Sequence, residues 1–154
     1  MKKKKILVTA ATICLTIAAV TGCGKSAKTI DANALATSLT NDIAYTESLE
    51  QVSEDAISNY VELEEGVEAV MYMSSGSTAE EVAVFTAKDE DAAKTMQSNV
   101  ETFLADQKGS FKDYIPEEAA RIDEAVVEQN GNYVVLCVSG DSDKAKEIIE
   151  EAFK

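Results

Sequence analysis

The six residues from Tyr133 to Val138 read YVVLCV, and every one of them is apolar or aromatic. Successive side chains of a β-strand point to opposite faces of the sheet, so a strand with this sequence is apolar on both faces. A sheet of that kind has to be covered on both sides. The chain must therefore supply helices for two faces, or leave one face to a separate partner.

Two pairs of strand-like segments, each joined by a turn, predict the sheet that contains this strand. GVEAVMYMSS and EEVAVFTAK flank residues 76–78, and AVVEQN and YVVLCVSG flank Asn130-Gly131-Asn132. Runs rich in valine, methionine and aromatic residues suit strands, and an Asn-Gly pair suits a hairpin turn. We predict a mainly antiparallel, four-stranded sheet.

Apolar residues spaced three and four apart predict helices around these hairpins. DEDAAKTMQSNVETFLADQ follows the first hairpin, DSDKAKEIIEEAFK follows the second, and shorter helices are predicted in SEDAISNYV and PEEAARIDE. An N-terminal helix from Asp31 carries Leu35, Leu39 and Ile43 on one stripe. We expect the two helices after the hairpins to cover one sheet face and the N-terminal helix to cover the other; a partner protein is the alternative cover.

The two strand–helix junctions also resemble each other. VAVFTAKDEDAAK at 82–94 aligns without gaps on VVLCVSGDSDKAK at 134–146, with Asp-x-Asp and Ala-Lys at matching offsets. A duplicated ββα unit and independent use of the same strand–cap–helix pattern both explain this alignment. The predicted fold is an α+β domain over residues 31–154, built from two ββα units with an additional N-terminal helix.

The N-terminus reads as a targeting segment. Four lysines precede an apolar run from Ile6 to Val20, and small residues follow it. This order is typical of a secretory signal peptide, and the run is shorter than the roughly 20 apolar residues of a membrane-spanning helix. Val20-Thr21-Gly22-Cys23 resembles the lipobox of bacterial lipoproteins, which implies cleavage before Cys23 and a diacylglyceryl lipid, with acyl chains such as palmitate, on its thiol.

These features divide the chain into a signal peptide at 1–22, a lipidated cysteine with a short tether at 23–30, and the domain at 31–154. The predicted location is the extracytoplasmic face of the cell membrane, to which the lipid on Cys23 attaches the protein.

Without residues 1–22 the chain keeps all 28 acidic residues and loses 4 of its 14 basic ones, for a net charge of −18. Nucleic acid is excluded as a partner, because phosphate binding needs a basic surface.

The residue types that most often catalyse reactions or bind metals give little indication of an active site in this sequence. The chain has no histidine, and Cys137, the one cysteine left after Cys14 and Cys23, lies in an apolar strand and is predicted to be a core residue. Asp89 and Asp141, each followed by a second aspartate two residues on, fit helix caps better than a cation site, since the glycine and glutamate of a calcium loop are missing.

A run of glutamates offers paired carboxylates of the kind that glycosidases use; its members are Glu62, Glu64, Glu65 and Glu68. The chain has no tryptophan to hold a sugar, and glutamates just before a strand are usually solvated. We predict no catalytic residue, no cofactor and no metal site.

Four features are shared with a known family: Ala79-Glu80-Glu81 ahead of VAVF, Gln107 ahead of Phe111, the run DYIPEEAARI, and Gly131 ahead of YVVL. Through them, the segment from Gly76 to Asp141 resembles an uncharacterised domain-of-unknown-function family of small lipoproteins from Gram-positive bacteria. The resemblance supports the lipoprotein prediction and implies no activity. The leading interpretation is a non-enzymatic binding or accessory module at the cell surface, with an envelope protein as one candidate partner. A carboxylate-based extracytoplasmic enzyme and a structural spacer are the alternatives.

Overall fold

The computed structural model describes residues 28–154, which form five helices and an open, antiparallel sheet of five strands. The order of the strands across the sheet is β1-β2-β3-β5-β4. The strands are β1 (Glu50–Gln51), β2 (Glu68–Met73), β3 (Glu81–Thr86), β4 (Val126–Asn130) and β5 (Tyr133–Val138). The predicted α+β class and both predicted hairpins, β2–β3 and β4–β5, are confirmed.

The helices are α1 (Ala32–Asp42), α2 (Glu54–Ile57), α3 (Glu90–Phe111), α4 (Pro116–Asp123) and α5 (Ser142–Phe153). The helices α1, α3 and α5 start after an aspartate, at Asp31, Asp89 and Asp141, whose carboxylate accepts a hydrogen bond from a backbone N–H of the first turn. Pro116 opens α4 as predicted, since its missing N–H would have no partner there. None of the helices within residues 28–154 is long and apolar enough to cross a membrane.

The sheet has five strands rather than the four predicted. The additional strand, β1, is only two residues long and pairs Glu50 with Met73 and Gln51 with Tyr72. Both β1 residues are polar and exposed, so the sequence carries no alternation of apolar and polar side chains that would indicate a strand. Pairing with the edge of β2 is what makes this segment a strand.

The sheet separates two apolar cores. On one face, α3 packs over side chains that include Met71, Phe85 and Leu136. On the other face, α1 and α5 pack over side chains that include Val84 and Cys137. The alternation of faces predicted for β5 is confirmed, because Val134, Leu136 and Val138 lie in the first core and Val135 and Cys137 lie in the second. The prediction that the helices after the two hairpins share one face is wrong, because α3 and α5 lie on opposite faces. Since β3 and β5 are apolar on both faces, their sequences do not determine to which face the next helix returns.

The N-terminal helix covers a sheet face, as expected. Leu35, Leu39 and Ile43 are buried against Val82 and Val84 of β3. Burial of apolar surface contributes about 25 cal/mol per Å², so these side chains tie α1 firmly to the domain. The chain's own helix therefore covers this face of the sheet, and a partner protein is not what covers it.

Candidate functional site

Charged side chains are buried at the start of β3, at one end of the sheet. The carboxylate of Glu80 is 1% exposed and accepts hydrogen bonds from Thr46, through its backbone N–H at 2.9 and 3.0 Å and its hydroxyl at 3.0 Å. The Thr78 hydroxyl donates at 3.2 Å, and Nη1 of Arg121 donates at 3.0 Å. The charge of Glu80 is thus balanced by a guanidinium, and both of its oxygens have partners.

Arg121 reaches a second buried carboxylate on its own helix, α4. Its Nε and Nη2 donate to the two oxygens of Glu118 at 2.9 and 3.1 Å, and the backbone N–H of Ala79 donates to Glu118 at 2.8 Å. Hydrogen bonding to Glu118 raises the pKa of the Arg121 guanidinium. The arrangement fastens α4 to the β2–β3 loop, and Arg121 holds both buried carboxylates.

A third glutamate is buried without a cation. Glu81 is 0% exposed, and this burial raises its pKa to about 8, although a hydrogen bond from Nε2 of Gln107 at 3.4 Å opposes the rise. Oε1 of Glu81 and Oε1 of Gln107 have no partner among the described residues. A proton on Glu81 supplies a donor, and the Gln107 amide oxygen is the kind of acceptor that it needs. At neutral pH, a pKa of about 8 therefore holds Glu81 mainly as a neutral acid beside the Gln107 amide, and we call these two side chains the acid–amide pair.

Two adjoining clefts open between α3 and the loops before and after β2. Their volumes are about 360 and about 230 Å³, and both are lined by Tyr60, Phe103 and Asp106. We call the two clefts together the Tyr60 groove. The larger cleft is completed by residues that include Ser74, Thr78, Gln107 and Phe111, and the smaller one by residues that include Glu62 and Asn99.

The Tyr60 groove combines aromatic rings with acidic side chains. Tyr60 is 48% exposed, which is unusual for a large side chain in this domain, and the rings of Phe103 and Phe111 are half-buried beside it. The acidic residues of its lining are Glu62, Glu80 and Asp106, and no lysine or arginine lines either cleft. Since Arg121 neutralises Glu80, the negative charge of the groove comes from the other two.

The family of the chain follows from a comparison of its sequence with family models. Residues 41–139 match the model described as Domain of unknown function (DUF4358), which is well over half of the chain. The chain belongs to the DUF4358 family. The match confirms the resemblance to a domain-of-unknown-function family, and it spans all five strands with α2, α3 and α4. No curated protein and no solved structure matches the DUF4358 chain.

A larger opening in the DUF4358 domain lies between α1 and α5, with a volume of about 480 Å³. Its lining contains Lys28 and Lys144 together with Asp31, Asp42 and Glu151, and it has no aromatic side chain. Because charges of both signs line this opening, it has no clear preference for one class of ligand. We therefore regard the Tyr60 groove as the better candidate site of the domain, despite its smaller volume.

The residues singled out by sequence have clear positions in the DUF4358 domain where they are described. Cys137 is 1% exposed in the core under α1 and α5, with its Sγ 3.6 Å from the hydroxyl of Tyr45, so its prediction as a core residue is confirmed. Burial raises the pKa of both groups, which keeps the thiol protonated. Cys23, the predicted lipid site, lies outside the described residues.

The acidic candidates divide into two groups. Asp89 and Asp141 are helix caps, as predicted, and residues 28–154 contain no cluster of three or more metal-ligating side chains arranged to hold a metal ion. Of the glutamate run at 62–68, Glu62, Glu65 and Glu68 are exposed and Glu64 is half-buried. Glu62 lines the Tyr60 groove, and Glu64 accepts a hydrogen bond from Asn99 at 3.4 Å.

Sequence reasoning missed the buried charges of the DUF4358 domain. Glu80 precedes β3 and Glu81 is its first residue, a position where glutamates are normally solvated, and their partners lie in segments 26 to 41 residues away. A weak signal was present, because Glu118 and Arg121 are three residues apart on one helix and can pair there. Nothing in the sequence indicated that this pair would be covered by the β2–β3 loop.

Proposed function

We propose that this DUF4358 chain is a non-enzymatic binding or accessory module, held at the extracytoplasmic face of the cell membrane by a lipid on Cys23. The binding part rests on one observation. The Tyr60 groove is an open cleft with exposed aromatic surface, and it lies beside carboxylates that already have partners. Exposed aromatic surface in a concave site is typical of places where a ligand or partner is bound.

The arrangement of the buried carboxylates favours binding over the enzyme alternative. Acid–base hydrolysis by two carboxyl groups requires both of them to reach the substrate, one as the acid and one as the base or nucleophile. Glu80 and Glu118 are held by Arg121 and by backbone N–H groups. Glu81 has the raised pKa of an acid catalyst, but it is fully buried on the α3 face of the sheet and does not line the groove.

The anchoring part of the proposal rests on the N-terminal sequence. Four lysines, an apolar run and the Thr21-Gly22-Cys23 ending precede a domain whose net charge repels an anionic membrane, so attachment has to come from a lipid. Cys23→Ser removes the thiol that would carry the lipid. We expect acyl labelling of the protein to disappear and the variant to stay uncleaved; labelling that persists in this variant contradicts the anchor.

A ligand survey tests the binding part against both alternatives. The whole protein, purified in a neutral detergent, is melted in the presence of a library of small envelope compounds, and each compound is quantified by mass spectrometry afterwards. A binding module gains thermal stability from a compound that is recovered unchanged, because a ligand that binds only the folded state stabilises it. Consumption of a compound supports the carboxylate enzyme, and a survey without any shift supports the spacer.

A matched pair of variants locates the binding site. Tyr60→Leu removes the central ring of the groove, whereas Tyr114→Leu removes a ring that is 88% exposed and lines neither cleft. We expect the first variant to lose the thermal shift and the second to keep it. Equal behaviour of the two variants would show that the ligand binds elsewhere.

A further inference from the structure

The charge of the side chains that line the Tyr60 groove indicates which class of ligand it can bind. Its lining contains Glu62 and Asp106 and no basic residue, and in residues 28–154 neither carboxylate takes part in a salt bridge. Glu80, the third acidic residue of the lining, is neutralised by Arg121. Both carboxylates without an ion pair lie on exposed residues, so a positively charged ligand can reach them.

The aromatic rings of the groove distinguish an organic cation from an inorganic one. Tyr60 and Phe103 line both clefts together with Asp106, and Phe111 completes the larger cleft. The face of an aromatic ring attracts an ammonium group, and the same face packs well against methylene groups. A strongly hydrated metal ion gains little from such rings and needs several oxygen ligands, and the described residues contain no group of three or more metal-ligating side chains.

The shape of the groove fits an elongated molecule. Its two clefts, of about 360 and about 230 Å³, share Tyr60, Phe103 and Asp106 in their lining, so a long ligand bound in one cleft would extend toward the other. Asp106 lines both clefts and Glu62 lines the smaller one. A chain with more than one ammonium group could place its charges at these carboxylates and its methylene groups on the rings.

We propose that the Tyr60 groove binds an organic ammonium ion, a molecule that carries one or more ammonium groups on an apolar chain. This inference rests on the proposed function, because it assumes that the groove is a binding site and names the class of ligand. Phe103 and Tyr60 hold the apolar chain, and Asp106 and Glu62 hold the charged groups.

Spermidine is a suitable probe, and calorimetric titration of the whole protein in a neutral detergent measures its binding. The uncharged 1,8-octanediol serves as a matched probe, and titrations in magnesium chloride at constant ionic strength measure the diffuse attraction of cations to an acidic protein. We expect saturable binding of spermidine that persists in magnesium, and no binding of the diol.

Two variant pairs then test the groove itself. Tyr60→Leu and Asp106→Asn should each weaken spermidine binding by about two- to fivefold, the factor expected for one lost exposed ring or charge contact. Tyr114→Leu and Asp113→Asn change an exposed tyrosine and an exposed aspartate that do not line the groove, and they should leave the affinity unchanged. Because Tyr60 and Asp106 are exposed, their variants should fold, and circular dichroism checks this.

The outcomes separate this inference from the proposed function. Equal weakening by all four variants, or loss of binding in magnesium, would mean diffuse attraction only and would overturn the inference. A failure of spermidine, with a neutral or anionic compound or a basic peptide binding in the groove instead, would also overturn it and leave the binding module standing. A groove that binds no compound in the survey would refute both.

Discussion

Replacement of Glu81 by glutamine should stabilise the protein at alkaline pH and leave it nearly unchanged at acidic pH. Glutamine has the shape of the neutral acid and can pair with the Gln107 amide, but it cannot ionise. Burial raises the pKa of Glu81 from 4.5 to about 8 in the folded protein. The native state therefore keeps a proton that the unfolded chain releases between these two pH values.

The size and sign of the effect follow from this difference. Each pKa unit corresponds to about 1.4 kcal/mol, so the full change is at most about 5 kcal/mol. The contribution of neutral Glu81 to stability is fully present below pH 4.5 and is lost as the pH rises through about 8. We expect the free energy of unfolding of Glu81→Gln to exceed that of the wild type by roughly 3 kcal/mol at pH 7 and by more at pH 8.

Urea unfolding of both proteins, followed by circular dichroism between pH 4 and pH 9, measures this difference directly. The two proteins share every other ionisable group, so the difference between their unfolding free energies isolates Glu81. A difference that does not change with pH would show that Glu81 is ionised with an ordinary pKa in the folded state. That result would refute the acid–amide pair.

The remaining predictions concern the buried ion cluster and the core thiol. Arg121→Met leaves two buried carboxylates without their cation and should lower the free energy of unfolding by about 3 kcal/mol or more in urea unfolding. Its control, Lys94→Met, breaks only exposed pairs and should change little; equal effects would contradict the cluster's role. Cys137 should resist thiol reagents until the protein unfolds, and Cys137→Ala should cost about 1–2 kcal/mol through a small cavity. Rapid labelling of the native protein would contradict this.

Local patterns in the sequence predicted the parts of the fold that depend on local rules. The alternation of side chains assigned the two faces of β5, because each residue of a strand points opposite to its neighbour. The aspartates at positions 31, 89 and 141 marked helix starts, because their carboxylates bond to the first turn. The stripe of Leu35, Leu39 and Ile43 predicted the cover of one sheet face.

Features that depend on distant segments could not be predicted in this way. The strand β1 exists only because β2 offers it an edge, and the opposite placement of α3 and α5 depends on how the whole chain packs. The candidate site belongs to the same category. Tyr60 and Phe103 are 43 residues apart in the sequence, and only the folded chain brings them to one groove. The duplicated ββα unit and the lipid on Cys23 stay predictions.

The order of the strands has a consequence for how the chain reaches its folded state. The central pair joins β3 to β5, with Thr86 opposite Tyr133 at its inner end, so its contacts close a loop of 46 residues that contains α3 and α4. Hairpins form quickly, whereas pairing across such a loop is slow. During synthesis, β3 keeps an unpaired, apolar edge until residues 133–138 emerge. A chain that stops before β4 would expose that edge permanently, and open edges of this kind recruit other chains into aggregates.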